Sequence, residues 1–558
     1  SMLMPRSMRF SMAPIALVFL SLLLRGACAH HSVTTTTVAD NPAESSMLLA
    51  GGTDFNGDDE LHSIADELIR GHRIADVGPP GSLSAGRTID VSGLAVAPGF
   101  IDLHSHAVRE SAARSGLTRW PGAENLLRQG VTTVIGGPDG WSPLPLAEHF
   151  AAVEASPAAV NYGAFVGHGA VREHVVGLDD RPATADEMTA MRAQVEHAML
   201  DGAFGLSSGL VYIPGSFADT EELIELARVA GAHGGIYISH MRNENLGALD
   251  SVAELIRIAE EAGLPGQITH AKVMSTAMQG RSVDLLSMVD AAVARGVDIT
   301  LDQYPYAAGS TGLTVQFPRW SRDGGNKMIA ERLKDPEMRE RIRTELIYQL
   351  TEVRGRNDPA NVQLAYCNFD SSLDGLNLSE VLQQRGQEVS IANAADLIIE
   401  LQEAGGCGAI YHAMHPDDVA IIMRHARTMI AADGGIESPG NAHPHPRNYG
   451  TYARVLGRYV RELGVLPLHT AIHKMTGMPA TRIGLEDRGR IAKGSVADLV
   501  VFDPDTIIDR ATFIDPHQYA EGVHHVFVSG EAVLLDRRAT GARPGRVLRS
   551  AAYQPGNR

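Results

Sequence analysis

Eight short apolar, β-type runs recur through the middle of this chain, and helical patterns separate most of them. The runs are FIDLH (100–104), VTTVIG (131–136), VNYGAFVG (160–167), AFGLSS (203–208), GIYISH (235–240), QITH (267–270), VDITLD (297–302) and TMIAAD (428–433). Stretches such as ATADEMTAMRAQVEHAMLDG and DTEELIELARVAGAHGG supply the helical spacing between them. Alternation of this kind predicts a parallel sheet with helices packed outside, and eight repeats predict a (β/α)8 TIM barrel. Few other architectures accommodate the pattern.

Barrels of this type carry their chemistry at the C-terminal ends of the strands. Five metal-binding side chains fall there: His104 and His106 after the first run, then His240, His270 and Asp433. Residues i and i+2 of a strand share a face, so His104 and His106 can grip one ion together. His240 and His270 lie 30 positions apart, about one β/α unit, and so come from neighbouring strands. Neutral imidazole and carboxylate suit zinc and similar ions. The chain has 23 histidines, so chance placement and satisfied buried histidines are the competing readings. For Asp433 the competing role is a helix N-cap, since two glycines follow it. The pattern as a whole predicts a metal-activated hydrolase. In it Asp433 takes a proton from water acidified by the metal and returns it to a leaving group.

The remaining segments frame this barrel. β-prone stretches between Met47 and Ala97, and again in GRIAKGSVADLVVFD and VHHVFVSGEAVL, are too few at either end to close a core alone. They predict one small β-sandwich formed from both chain ends, residues 46–97 and 477–548, around a barrel of 98–476, with a tail at 549–558. Residues 321–405 are too long for one crossover and carry helical patterns, which predicts an inserted helical subdomain near the barrel mouth.

Lys+Arg 48 against Asp+Glu 66 gives a net charge of −18, which argues against nucleic acid as a partner. Residues 1–29 read as a signal peptide: Arg6 and Arg9 precede an apolar stretch from Ala13 to Leu24, and Ala27-Cys28-Ala29 follows as a cleavage site. Lipidation through Cys28 is the weaker alternative, and no other membrane contact is expected. Residues 30–45 read as a flexible lead-in to a secreted or periplasmic protein. Cys367 and Cys407 read as buried free thiols.

At this resolution of motif the chain resembles the D-aminoacylase (N-acyl-D-amino-acid deacylase) family of amidohydrolases. The segments that carry the resemblance are PGFIDLHSH, VGHGAVR, GAFGLSSGLVYIPG, YISHMRNE, ITHAKV, DQYPYAAGST, HPRNYGTYARVLGRYVRE and MTGMPATRIGLEDRGRIAKGSVADLVVFDP. The resemblance implies hydrolysis of the amide of a small N-acyl-D-amino acid by one or two Zn2+ ions. The preference for the D configuration rests on it entirely. It also implies that His104, His106, His240, His270 and Asp433 hold metal, and that Lys272, Tyr304 and Ser310 hold the substrate carboxylate and amide.

Lys272 lies two residues past His270 and faces the same way, so it meets either a substrate anion or a local acid. Tyr304 and Ser310 offer hydroxyl donors or plain packing. His168, at the end of the third run, either polarises the scissile carbonyl or shapes the wall. Arg447 clamps a carboxylate or orders its loop.

Two departures from the family pattern stand out. The family usually has a cysteine ligand after the second strand, where this chain reads VIGGPDGWSP. Nor does GLSSGLVY offer a carboxylated lysine or glutamate near the fourth strand. No bridging ligand is therefore identified at the expected places. Asp139 is a candidate substitute if it is not simply the turn residue of Pro-Asp-Gly, and Lys272 is a weaker one. Other readings of the scaffold are hydrolysis of cyclic imides, hydantoins or dipeptides, and a secreted metal-binding protein without catalysis.

Overall fold

The computed structural model describes residues 45–108, 116–437, 439–440 and 442–556. The export signal and all but the last residue of the lead-in lie outside them.

All eight runs form strands. In chain order they are Phe100–Asp102, Val131–Gly136, Asn161–Ala164 with Val166–Gly167, Gly205–Gly209, Ile236–His240, Gly266–Ile268, Ile299–Gln303 and Thr428–Ile430. Every neighbouring pair is parallel. The third strand is broken only at Phe165, whose amide donates to the Gly136 carbonyl at 2.9 Å. The ring closes where the last strand meets the first. There the Asp433 amide donates to the His104 carbonyl at 2.9 Å, and the His106 amide donates to the Gly434 carbonyl at 2.7 Å. Closure matters for function, because it brings residues 104 and 433 side by side.

The helices between the strands start where local chemistry satisfies their first amides. Thr184 and Glu187 form a reciprocal capping box on Ala185–Leu200. Asp219 accepts from the Glu222 amide to open Thr220–Ala232. An apolar cluster of Ile101, Ile135, Phe165, Ile238 and Met429 joins five barrel strands or their joints to Ile483 of the helix Gly477–Ile483. Burying each such side chain contributes about 1.5–3 kcal/mol.

Strands from both chain ends come together. The nine strands share a single hydrogen-bonded sheet, seamed where Ala95–Pro98 runs antiparallel to Leu499–Phe502. Leu49, Ile69 and Val96 from the first half pack with Leu499, Val501 and Phe527 from the second. The Gly545, Leu548 and Gln554 amides donate to the Ala158, Tyr162 and Leu200 carbonyls, which ties the end of the chain to the barrel.

The insertion is also larger and less helical than its sequence suggests. Gly309–Gly312, Val362–Cys367 and Cys407–Tyr411 form a three-stranded antiparallel sheet, with the helices Pro336–Tyr348 and Ile391–Glu403 between its strands. Cys367 and Cys407 face each other across that sheet with Cα atoms 4.5 Å apart, and they form a disulfide. This corrects the expectation of free thiols. Forty residues separate the two cysteines, and only the antiparallel register makes them neighbours.

Candidate metal centre

The five predicted ligands converge, and a sixth joins them. His104 Nε2 lies 3.0 Å from both Asp139 Oδ2 and Asp433 Oδ1. His106 Nε2 lies 3.2 Å from Asp139 Oδ2 and 2.9 Å from Asp433 Oδ1. These four side chains form one ligand group. A second group consists of Asp139 Oδ1, His240 Nδ1 and His270 Nε2, with separations of 2.8 to 3.6 Å. Asp139 therefore turns one oxygen to each pair of histidines. It stands between them, so the candidate ligand atoms divide into two groups that share one carboxylate.

Tight backbone packing puts Asp139 there. The loop after the second strand is pinned by Ser207, whose hydroxyl donates to the Gly137 carbonyl at 2.5 Å and accepts from the Gly140 amide at 3.1 Å. A Cβ on Gly137 would come within 2.2 Å of the Phe165 carbonyl, and one on Gly209 within 2.0 Å of the Asp139 carbonyl. Side chains are excluded at both points. Asp139 (φ 56°), His270 (φ 38°) and Asp433 (φ 52°) all have left-handed backbone. Such conformations cost of order 1–3 kcal/mol each and persist only where the surroundings enforce them. Three of the six ligands carry this strain.

The imidazoles are oriented by groups behind them that sequence reading passed over. The Thr269 hydroxyl donates to Asp302 Oδ1 at 2.9 Å, so its oxygen accepts from His104 Nδ1 at 2.5 Å. That fixes the proton on Nδ1 and leaves the Nε2 lone pair facing the ligand group. Asp302 also accepts from the His270 amide at 2.6 Å. Glu244 backs the second group: Oε1 lies 2.8 Å from His270 Nδ1, which Lys272 Nζ also approaches at 2.7 Å, and Oε2 lies 3.5 Å from His240 Nε2. A signal existed for Asp302, because VDITLD ends an apolar run in an acid just as RTMIAAD does. Glu244 lies four residues past His240, in a loop with no periodicity to expose it.

Burial disfavours the charged forms of Asp139, Asp433 and His104, and their neighbours overcome it, whereas at His240 burial prevails and lowers the basicity of the ring. Burial opposes ionisation of Asp433, yet Arg447, His104 and His106 hold its carboxyl well below the usual range. Asp139 is likewise held well below that range by His104, His106 and His240. Burial lowers the basicity of His104, but Asp139 and Asp433 raise it well above the ordinary value. The donor set suits Zn2+. One observation supports the fit directly: Asp139 Oδ1 is buried and makes no hydrogen bond, which is costly unless a cation lies against it.

A cavity of about 320 Å3 opens over these ligands and is lined by His106, Asp139, His240, His270 and Asp433. The predicted substrate-binding residues Lys272, Tyr304, Ser310 and Arg447 line it too. Lys272 has an internal partner, Glu244 Oε1 at 3.0 Å. Arg447 Nη1 holds Asp433 Oδ2 at 3.0 Å, and its guanidinium sits 4.8 Å from the centre of the Tyr304 ring. Ser310 belongs to the first strand of the insertion, paired with Ile410.

His168 does not join them. It is fully buried, its Nε2 contacts Glu222 Oε1 at 2.8 Å, and Glu222 also takes Arg172 at 2.5 Å. The expectation that His168 faces the pocket is corrected. The carboxylate of the next barrel helix turns it away from the cavity.

A closed parallel barrel that gathers four histidines and two aspartates at one rim defines a metal-dependent hydrolase. The chain belongs to the amidohydrolase family, whose model matches residues 87–324 and 393–534. It is 40% identical to a D-aminoacylase of Alcaligenes xylosoxydans xylosoxydans over 91% of this chain and 98% of the relative. It is 34% identical to an N-acyl-D-glutamate deacylase of the same organism, over 91% and 97%. A crystal structure of N-acyl-D-glutamate deacylase from Bordetella bronchiseptica, complexed with zinc and a phosphonate mimic of the tetrahedral intermediate, superposes with a TM-score of 0.76. It is 33% identical, and the match covers 90% of this chain and 99% of that one.

Proposed function

We propose that this protein hydrolyses the amide of N-acyl-D-amino acids, releasing a carboxylate and a free D-amino acid. The observation that carries this reading is the shared carboxylate of Asp139, set between two pairs of histidines beneath a cavity that Asp433 also lines. Zn2+ held by these residues would polarise the amide carbonyl and lower the pKa of water to about 7.

The chain's own side chains do the rest. Hydrolysis adds water to the carbonyl carbon and breaks the C–N bond, so one proton must leave the water and one must reach the departing nitrogen. Asp433 is the group placed for both transfers: Oδ1 faces the histidines while Arg447 anchors Oδ2 at 3.0 Å. The charge of Arg447 thereby keeps the carboxyl of Asp433 in its ionised form. Tyr304 lies between two cations, with Lys272 Nζ 5.4 Å and the Arg447 guanidinium 4.8 Å from its ring centre. That cationic wall suits the α-carboxylate of the substrate.

A panel of N-acetyl-D-amino acids, their L-forms, a hydantoin and an isoaspartyl dipeptide tests the assignment. Turnover is expected on the D-series alone, to be abolished by a chelator and restored by Zn2+. Hydrolysis confined to the cyclic or dipeptide substrates would overturn it.

We also read residues 1–29 as an export signal. The Cys367–Cys407 disulfide supports this, because such bonds persist in oxidising compartments. Protein recovered from the periplasm or medium of an expressing bacterium is expected to begin at His30. An intact N-terminus on protein confined to the cytoplasm would refute export.

A further inference from the structure

The three-stranded sheet of the insertion forms one wall of the cavity. Ser310, Thr311 and Gly312 line it from the first strand, Tyr366 from the second and Gly408 from the third. Cys407–Tyr411 runs down the middle, between the other two strands. Around Ser310, Thr311 and Ala365 the sheet is anchored to its surroundings. Arg447 donates to the Ser310 carbonyl at 3.4 Å, the Thr311 and Tyr212 hydroxyls pair at 3.0 Å, and the His443 amide donates to the Ala365 carbonyl at 2.8 Å. Cys367 and Cys407 form the last cross-strand pair at the other end, and the next pair inward is Tyr366 with Gly408.

Tyr366 and Gly408 fit together closely. A Cβ on Gly408 would fall 2.3 Å from the Tyr366 ring, so the ring lies directly against the glycine backbone. A cross-strand contact of this kind holds only while the two strands keep their spacing. Local sequence does little to keep it. The register slips between Leu364 and Tyr366, and Gly405 and Gly406, with φ of 134° and 80°, lead into Cys407. Glycine loses more backbone freedom on ordering than any other residue, so this end of the sheet is the one that would open first. The disulfide prevents that opening one residue away from the ring.

We infer that the Cys367–Cys407 disulfide is a positioning element of the substrate site: it keeps the Tyr366 ring in the cavity wall, and breaking it weakens substrate binding while leaving the metal centre intact. This rests on the function proposed above and assigns a further element of its site. The candidate ligands belong to the barrel strands and the loops that follow them, which the bond does not join. Reduction by a dithiol is a balanced exchange. The reagent gives up two electrons and two protons and leaves as its own disulfide, while Cys367 and Cys407 become two thiols.

Steady-state kinetics of Cys367→Ser/Cys407→Ser on an N-acetyl-D-amino acid test this. KM is expected to rise about 5- to 30-fold, the loss of one well-packed contact residue, with kcat and Zn2+ content close to those of the wild type. A purely structural bond would behave otherwise, lowering the active fraction and so the apparent kcat without moving KM. Tyr366→Ala is expected to raise KM by a similar factor. Adding it to the serine pair should change little more, because both act on one contact. Should the serine pair not fold, the wild type reduced by a dithiol, freed of the reagent and resupplied with Zn2+ without air, is read in the same way, and reoxidation should restore the lower KM. Amide exchange in residues 362–367 and 407–411 is expected to quicken on reduction while the barrel strands keep their protection. An unchanged KM without the bond would overturn the inference and leave the amidase assignment standing. Absence of turnover on every N-acyl-D-amino acid would remove that assignment itself, and unchanged exchange on reduction would then still refute the hold on Tyr366.

Discussion

Replacing Asp139 with Asn is expected to strip the centre of at least one metal ion per chain and lower kcat by about 100- to 1,000-fold. Asn is nearly the same size and shape, and both residues tolerate the left-handed conformation found at φ 56°. The substitution therefore removes charge without adding backbone strain. What it cannot keep is a pair of equivalent anionic oxygens, Oδ2 toward His104 and His106 and Oδ1 toward His240 and His270. An amide presents one oxygen and one NH2, and the NH2 repels a cation. Metal analysis by plasma emission, on protein purified in parallel with the wild type, reads the first effect directly. Asp139→Cys is the informative companion, since a thiolate is also a zinc ligand and the resembling family usually carries cysteine after this strand. It is expected to regain metal and part of the activity, less a cost of about 1–2 kcal/mol for a side chain that disfavours positive φ. Full metal content and wild-type turnover in Asp139→Asn would exclude a bridging role.

Asp433→Asn is expected to act differently. Most metal should remain, because His104, His106 and Asp139 still form the first group, while kcat falls by about 1,000-fold or more for want of a base. KM should change little. A second consequence follows from Arg447, whose Nη1 would lose the anion now 3.0 Å away. Leaving one member of a buried pair uncompensated costs about 3–5 kcal/mol, so the melting temperature should drop as well. The double variant Asp433→Asn/Arg447→Gln separates the two effects: it should recover thermal stability and no activity. A single variant that keeps near-wild-type kcat would refute the catalytic assignment, and a double variant that regains turnover would show that the loss was structural.

The features that were legible in the sequence share one property, namely that they repeat or end a repeat. The eight strands were visible as runs, and His104, His106, His240, His270 and Asp433 were visible because each closes one. Asp139 was weighed only as a substitute, for a physical reason. It lies three residues beyond its strand, in a Gly-Gly-Pro-Asp-Gly turn whose composition fits a surface loop equally well. Its position depends on Ser207 and on close contacts at Gly137 and Gly209, which come from other parts of the chain. The misreading of His168 has the same origin, since Glu222, 54 residues on, decides where that ring points. Whether Lys272 meets a local acid or a substrate anion, and whether Arg447 clamps a carboxylate or orders its loop, was likewise open until Glu244 and Asp433 were seen beside them.

By itself, then, the sequence determined the barrel and marked five of the six side chains that converge at its rim, because periodic burial and strand ends are written locally. Tertiary structure alone decided that the ligands divide into two groups around one carboxylate and that Cys367 bonds Cys407 beside the cavity wall. Those outcomes depend on distances between segments far apart in the chain, and no spacing along a single chain encodes such a distance before closure of the ring imposes it.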